Sequence, residues 1–348
     1  DVYKRQATHG IVHPCEVFRS TRCCKDVATV RKNEYVNLPV LCLVGPTASG
    51  KSGLAVRVCR RLYVDEHPAE IINTDSMVVY RGMDIGTATP TLREQRTVVH
   101  HLVSILDVTV PSSLVLMQTL ARDAVEDCLS RGVIPVLVGG SALYTKAIID
   151  EMSIPPTDPE VRARWQEKLD AEGPRVLHDE LARRDPKAAE SILPGNGRRI
   201  VRALEVIDLT GSFTATIPDG TLHWPKTVQM GLELSRKDID QRIADRVDQM
   251  WAYGFVDEVR SLANVGLREG LTASRALGYR QVLEYLNGDY DEDEARRRTI
   301  IGTRRFARKQ LMWYRRDDRI EWFNALAPDL DDRVVARVLT ALTTDEED

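Results

Sequence analysis

An α/β fold, with helices around a parallel sheet and a helical segment inserted in its middle, is what this sequence predicts, and three observations predict it. From Pro39 onward, short β-branched runs alternate with longer helical ones, which is the sequence form of a parallel sheet. The first run, VLCLV, leads directly into GPTASGKS, a glycine-rich phosphate loop between a strand and a helix. In the middle, Pro155, Pro156 and Pro159 mark a break, after which the apolar spacing is helical with few strand signals.

Taken in order, residues 1–37 show no clear periodicity and are expected to be a disordered or non-native extension. Residues 38–151 read as the first part of a core of the P-loop NTPase type. Strands are expected there at Val40–Val44, Ile71–Thr74, His101–Ile105 and Ile134–Val138, with helices at Lys51–Tyr63 and Met117–Arg131. Residues 152–224 read as an all-helical insertion with helices at Glu160–Ala171, Val176–Arg184 and Arg198–Thr210, closed by Gly211, Pro218 and Pro225. Residues 225–325 return to the core through Val228–Leu234 and Arg319–Phe323. They also carry helical runs at Ile239–Ala263, Ala273–Leu286 and Glu292–Arg315. The last stretch, 326–348, reads as a helix with an acidic tail.

The balance of 43% hydrophobic and 29% charged residues over 348 positions is that of a globular protein with material for a core. With 48 Lys and Arg against 52 acids the net charge is −4, so a basic surface must come from local clustering. Six cysteines (Cys15, Cys23, Cys24, Cys42, Cys59 and Cys128) make no CxxC pair or metal-ligand spacing, which fits a reducing cytosol. No apolar run approaches the roughly 20 residues of a membrane helix, and a cytoplasmic, monomeric protein without a membrane partner is expected.

The chemistry starts at Gly45, Gly50, Lys51 and Ser52, which match GxxxxGK[ST]. Glycines let successive N–H groups turn inward onto phosphate oxygens, and the helix that follows adds the positive end of its dipole. Lys51 supplies a point charge, and Ser52 is placed to ligate Mg²⁺. A nucleotide hydrolase would carry an acid at the end of a later apolar strand. Here Ile134–Val138 ends instead in Gly139-Gly140-Ser141. The acid comes early, as Asp75 in IINTDS at the carboxyl end of the second strand, where such sheets bind ligands. No guanine-reading NKxD element is present. On these residues alone, a kinase of a small metabolite or nucleoside with Asp75 as base stays open, as does a non-catalytic RNA-binding module. His100 and His101 read as structural, since no third ligand or triad partner is spaced to join them.

A longer set of motifs in order narrows the choice. GPTASGKS, NTDSMVVYRGMDIGTATP, HHLVSILDV, PVLVGGSALYTKA, TDPEVRARW, ILPGNGRRIVRALEVIDLTG and RALGYRQVLEYL together resemble the tRNA dimethylallyltransferases (the bacterial IPP transferase family), from about Pro39 to Phe323. The resemblance implies prenyl transfer from dimethylallyl diphosphate to N6 of adenine 37 in the tRNA anticodon stem-loop, in tRNAs reading codons that begin with U. It implies that the loop Gly45, Pro46, Thr47, Ala48, Ser49, Gly50, Lys51 and Ser52 holds the diphosphate with Mg²⁺, joined by Arg242 and Arg246. Asp75 would be the general base, with Thr47, Lys51 and Ser141 beside the reacting groups. Asp75, Ser76, Met77, Val78 and Ser141 would line the adenine pocket. Arg198, Arg199, Arg202, Arg275, Gly278, Tyr279 and Arg280 would contact tRNA. Relatives commonly carry a Ser and an aromatic where this chain has Leu116 and Leu120, which read as wall and packing.

The residues agree with that chemistry. The adenine N6 lone pair is delocalised, so a carboxylate that takes its proton as the C–N bond forms contributes about 10²–10⁴-fold. Cations and loop amides stabilise charge growing on the departing diphosphate. From Arg296 to Arg319, ten Lys or Arg face two Asp, with Phe306, Trp313 and Tyr314 interleaved, a composition that suits an exposed RNA loop.

Overall fold

The structure, a computed structural model, describes residues 38–213 and 220–343; the expected extension at 1–37 and the acidic tail from 344 lie outside the described residues. Six strands form one sheet: β1 (Val40–Val44), β2 (Ala69–Asn73), β3 (His100–His101), β4 (Ile134–Val138), β5 (Thr227–Glu233) and β6 (Ile320–Asn324). Their order is β3-β2-β4-β1-β5-β6, and each pairing is parallel. The register sets Leu43 and Asn73 both against Val138, so β1, β2 and β4 end at one level. That common edge carries Gly45, Asp75 and Gly139.

Side chains alternate across the sheet, and each face has its own core. Leu41, Leu43, Ile71, Val136 and Val138 pack against α1 (Lys51–Val64) and the last helix, α13 (Leu330–Thr343). Ion pairs Arg57–Asp331 and Arg61–Asp332 tie these two helices together. Val40, Cys42, Val44, Ile72 and Leu137 face the other way, toward α3 (Leu114–Ser130) and the helices after β5. Strands buried on both faces read as continuous apolar runs, which is why β1 and β4 are legible in the sequence. Cys42, Cys59 and Cys128 are free and buried.

Between α4 (Ala142–Ile149) and β5 stand α5 (Pro159–Glu172), α6 (Pro174–Arg184), α7 (Pro186–Ser191) and α8 (Gly197–Thr210), with a small core of their own around Trp165, Leu177, Leu181, Ile200 and Leu204. A Cβ on Gly197 would meet the tip of the Leu169 side chain at 2.7 Å, so a larger residue at the start of α8 would make that side chain shift. The fully buried Glu205 carboxylate is met by Thr157 Oγ1, the Asp158 amide, Arg162 and Arg202. Bonding on this scale is what keeps a buried charge tolerable.

Four sequence expectations change. The third strand was expected to reach Ile105 but stops at His101, because Leu102 and Ser104 adopt left-handed backbone (φ 61° and 52°) and turn the chain off the ladder. The run Ile239–Ala263 is two helices, α9 (Arg236–Ala252) and α10 (Phe255–Ala263), parted at Gly254 with φ 87°. The run Ala273–Leu286 opens with a three-residue 3₁₀ turn, Ala273–Arg275, before α11 (Tyr279–Leu286). A short helix, α2 (Leu92–Thr97), appears where none was expected, capped by a Thr91–Glu94 box. The long α12 (Glu292–Tyr314) packs along α9 and α11. No helix among the described residues is long and apolar enough to cross a membrane.

Candidate active site

The carboxyl edge of the sheet opens into a cleft of about 1330 Å³, bounded by the phosphate loop, the Asp75 turn, the Gly139–Ser141 turn, α9 and α12. Small-molecule sites usually span about 300–1000 Å³. This one has room for more than a diphosphate.

On its floor, the phosphate loop leaves β1 through Gly45 (φ 141°), bends at Ala48 (φ 63°) and enters α1 through Gly50 (φ 94°). A left-handed alanine costs of order 1 kcal/mol, and such strain collects in ligand-holding loops. Lys51 is buried and donates from Nζ to the Pro46 carbonyl at 2.7 Å. Burial pulls its pKa down to about 8; the Asp75 carboxylate opposes that shift and the Arg246 guanidinium adds to it. Ser49 Oγ is buried without a hydrogen-bond partner among the described residues, and Ser52 stands exposed on the first turn of α1.

Two arginines descend from α9. Arg242 places Nη1 3.7 Å from where a Cβ on Gly50 would stand, directly over the loop. Arg246 has one hydrogen bond among the described residues, from Nη1 to Thr47 Oγ1 at 3.2 Å. Burial lowers its pKa, opposed by the Asp75 carboxylate. A guanidinium carries five N–H donors, so most of Arg246 is left to meet an anion. Because Arg246 donates to Thr47 Oγ1, that hydroxyl can turn its own hydrogen into the cleft.

Across from the cations, Asp75 follows the end of β2. Asn73 fixes its backbone from both sides: Oδ1 accepts from the Asp75 amide at 2.9 Å, and Nδ2 donates to the Asp75 carbonyl at 3.0 Å and to that of Leu102 at 3.1 Å. Asp75 Oδ1 accepts from the Met77 amide at 2.9 Å, while Oδ2 has no partner among the described residues. Ser141 begins α4 without spending its hydroxyl as a cap. Both face the cleft, as do Ser76, Met77 and Val78. The cleft thus joins a three-cation anion seat to one carboxylate oxygen that is free to accept a proton.

Hydroxyl, carboxylate and phosphate oxygens suit a hard divalent cation that keeps several waters. The donors present at the loop therefore fit one, with Ser52 as the protein ligand. Glu70, His101 and Cys128 also lie within 4.8 Å of one another. Arg131 already grips both Glu70 oxygens, at 2.9 and 2.7 Å, and His101 Nε2 lies 2.7 Å from Glu70 Oε2. Against the cost of burial, these bonds hold Glu70 down at about 2, and the cluster is an ion-paired one.

Some expected contacts need correcting. Tyr279, expected against tRNA, is fully buried, and its hydroxyl donates to Glu258 at 2.6 Å. Glu258 also receives the amides of Asp84, Ile85 and Gly86, so the Tyr279–Glu258 pair holds that loop on the cleft wall. Gly278 is buried too. Arg202 is spent on the Pro155 and Pro156 carbonyls and on Glu205. Arg198, Arg199 and Arg275 are exposed with no ion pair among the described residues, and Arg280 is exposed with a 3.4 Å pair to Glu284. The basic run is also less bare than its composition: Arg296, Arg297, Arg298, Arg304, Arg308, Arg315 and Arg319 all have acidic partners. Arg305, Lys309 and Arg316 have none among the described residues.

Sequence reasoning missed Gln310, whose carboxamide bridges the Thr47 amide and the Gly140 carbonyl. A signal existed. Thr299, Thr303, Phe306 and Gln310 recur at helical spacing through a highly charged helix, and all four line the cleft.

The family model described as IPP transferase matches residues 78–317. A tRNA dimethylallyltransferase of Cutibacterium acnes is 99% identical over 319 residues, covering 92% of this chain and all of the relative. One of Thermobifida fusca is 54% identical over 300 residues, covering 86% of this chain and 94% of the relative. Among solved structures, the full-length tRNA isopentenylpyrophosphate transferase of Bacillus halodurans aligns with a TM-score of 0.64 at 36% identity, over 87% of this chain and 96% of that one. A eukaryotic dimethylallyltransferase acting on tRNA shares the fold, with a TM-score of 0.72 at 23% identity over 89% of this chain and 81% of that one.

Proposed function

This chain belongs to the IPP transferase family of tRNA dimethylallyltransferases, a prenyl-transferring enzyme family, and from that premise we propose how its residues divide the reaction. The acceptor is N6 of adenine 37 in tRNAs that read codons beginning with U, the donor is dimethylallyl diphosphate, and the products are N6-isopentenyladenosine and diphosphate. The observation that carries this reading is the free Asp75 oxygen facing the cations Lys51, Arg242 and Arg246 across one cleft. A kinase would need the same loop for a migrating phosphoryl group. Here the loop holds a group that leaves.

In the transfer, the bond between the allyl carbon and the diphosphate oxygen breaks as a bond from that carbon to N6 forms. The N6 proton passes to Asp75 Oδ2. Lys51, Arg242, Arg246, Thr47 and the loop amides take up the charge that grows on the departing diphosphate, an effect largest in a water-poor cleft. Mg²⁺ held by Ser52 and phosphate oxygens would add Lewis-acid stabilisation of the same leaving group. Ser141 and Met77 bound the adenine. Taking adenine 37 out of its stacked loop costs a few kcal/mol, which Arg198, Arg199, Arg275 and Arg280 help offset by holding the tRNA backbone. The 152–224 helices and the unpaired Arg305, Lys309 and Arg316 belong to the same RNA-facing surface. The enzyme acts as a monomer in the cytoplasm, where both substrates are.

The test supplies labelled dimethylallyl diphosphate, or ATP, with tRNA bearing adenine 37. Label should enter that nucleotide without ATP, and Asp75→Ala should abolish transfer while leaving tRNA binding within about threefold. Phosphate transfer from ATP with no label in tRNA would sink the reading.

A further inference from the structure

Gln310 lies on α12 with 5% of its surface exposed, between two loops that are far apart in sequence. Its Oε1 accepts from the Thr47 amide at 2.9 Å, and its Nε2 donates to the Gly140 carbonyl at 2.7 Å. The two partners dictate the amide's orientation, since an N–H can meet only Oε1 and a carbonyl only Nε2. The contact is also close: a Cβ on Gly140 would stand 2.5 Å from Gln310 Nε2. One turn further along α12, Tyr314 reaches the Gly139 carbonyl at 3.4 Å.

We propose that Gln310 is a positioning residue for prenyl transfer, setting the spacing between the leaving-group loop at Thr47 and the turn that carries Ser141. The proposal rests on the function given above. Thr47 is held twice, through its amide by Gln310 and through its hydroxyl by Arg246. Its N–H is thereby withheld from the diphosphate, so the loop amides that meet phosphate come from further along. The same carboxamide fixes Gly140, immediately before the unspent hydroxyl of Ser141. α12 also carries the cleft-facing Phe306 and the cations Arg305 and Lys309, which have no acidic partner among the described residues. Gln310 therefore ties the RNA-facing helix to both loops at the reacting centre. A buried amide with two committed atoms has no apolar substitute, because both of its partners would be left unpaired.

The experiment compares wild type, Gln310→Met and Gln310→Glu in transfer from dimethylallyl diphosphate to tRNA, with inorganic pyrophosphate titrated as a probe of the loop. Gln310→Met keeps the length and loses both bonds. Its kcat per folded enzyme should fall about 10–100-fold, with tRNA Kd close to wild type and Tm lowered by the two partners left unpaired. Gln310→Glu keeps an acceptor for Thr47 but turns a carboxylate oxygen on the Gly140 carbonyl, and should weaken pyrophosphate binding as well. Gly140→Ala displaces the carboxamide from the other side and should reproduce the kcat loss if Gln310→Met does not fold. A merely structural residue would lower Tm and leave kcat per folded enzyme unchanged. That result, or kcat within threefold of wild type in the folded variants, overturns the proposal. A wild type that transfers no label overturns the functional reading instead.

Discussion

Gly139→Ala asks whether Asp75, the proposed base, must stand where the end of β4 lets it stand. A Cβ at position 139 would lie 2.1 Å from Thr74 Oγ1, 2.8 Å from the Thr74 carbonyl carbon and 3.0 Å from its oxygen. Ordinary contact begins near 3.4 Å. The hydroxyl can rotate away, but the carbonyl cannot, because the Thr74 amide is bonded to the Val138 carbonyl at 2.9 Å on the same strand pair. Thr74 must therefore back off by roughly half an ångström to an ångström, and Asp75 is the next residue. Misplacement of a reacting group by about 1 Å costs on the order of 10²-fold in rate, equivalent to about 2.7 kcal/mol of transition-state stabilisation. Overpacking costs about 1–3 kcal/mol of stability, which a core of this size tolerates. The assay is single-turnover transfer of labelled dimethylallyl to tRNA, alongside Tm and pyrophosphate affinity. Gly139→Ala should lose about 100-fold in rate with pyrophosphate binding nearly intact. Adding Thr74→Ala, which removes the hydroxyl but leaves the carbonyl in place, should restore little of the loss. A folded Gly139→Ala enzyme within threefold of wild type would refute the reasoning.

Two further outcomes follow from the charges. Burial pulls the Lys51 pKa down to about 8, and in the proposed role Lys51 binds the diphosphate as a cation, so kcat/KM for the donor should fall about tenfold per pH unit above 8. With the diphosphate bound, the anion holds the proton on Lys51 and kcat should stay flat over the same range; a kcat/KM profile flat to pH 9.5 would remove Lys51 from this role. Arg199→Ala should weaken tRNA binding and reduce its salt slope by about 1. Arg202→Ala should leave the slope unchanged and lower Tm, since it strips a partner from the buried Glu205; equal slopes for Arg199→Ala and wild type would be evidence against the RNA-facing assignment.

The centre of the sheet was legible because β1 and β4 are apolar on both faces, and the phosphate loop because it needs glycine at fixed offsets. Asp75 was legible by position alone, at the end of the second strand. What failed was what depends on a partner distant in sequence. Glu205 lies only three residues from Arg202, but nothing in that spacing announces that the acid is buried or that the distant Pro155 and Pro156 carbonyls also take up the guanidinium, and nothing near Tyr279 announces that Glu258 will accept from its buried hydroxyl. The break at Gly254 was visible as a glycine, but helical spacing resumes so soon after it that periodicity bridges the gap.

The run from Arg296 to Arg319 shows the same limit from the other side. Its charge suggested a bare basic surface, yet half of its ten cations lock the helix to α9 and to its own first turn through Asp240, Asp248 and Glu294. That bracing gives α12 a fixed rotation about its axis. A helix so held presents Thr299, Thr303, Phe306 and Gln310 to the cleft as one stripe and keeps Arg305 and Lys309 for other contacts. The abundant charges therefore secure the helix. The uncharged stripe meets the chemistry, and substitutions there should act on kcat more than those at the paired arginines.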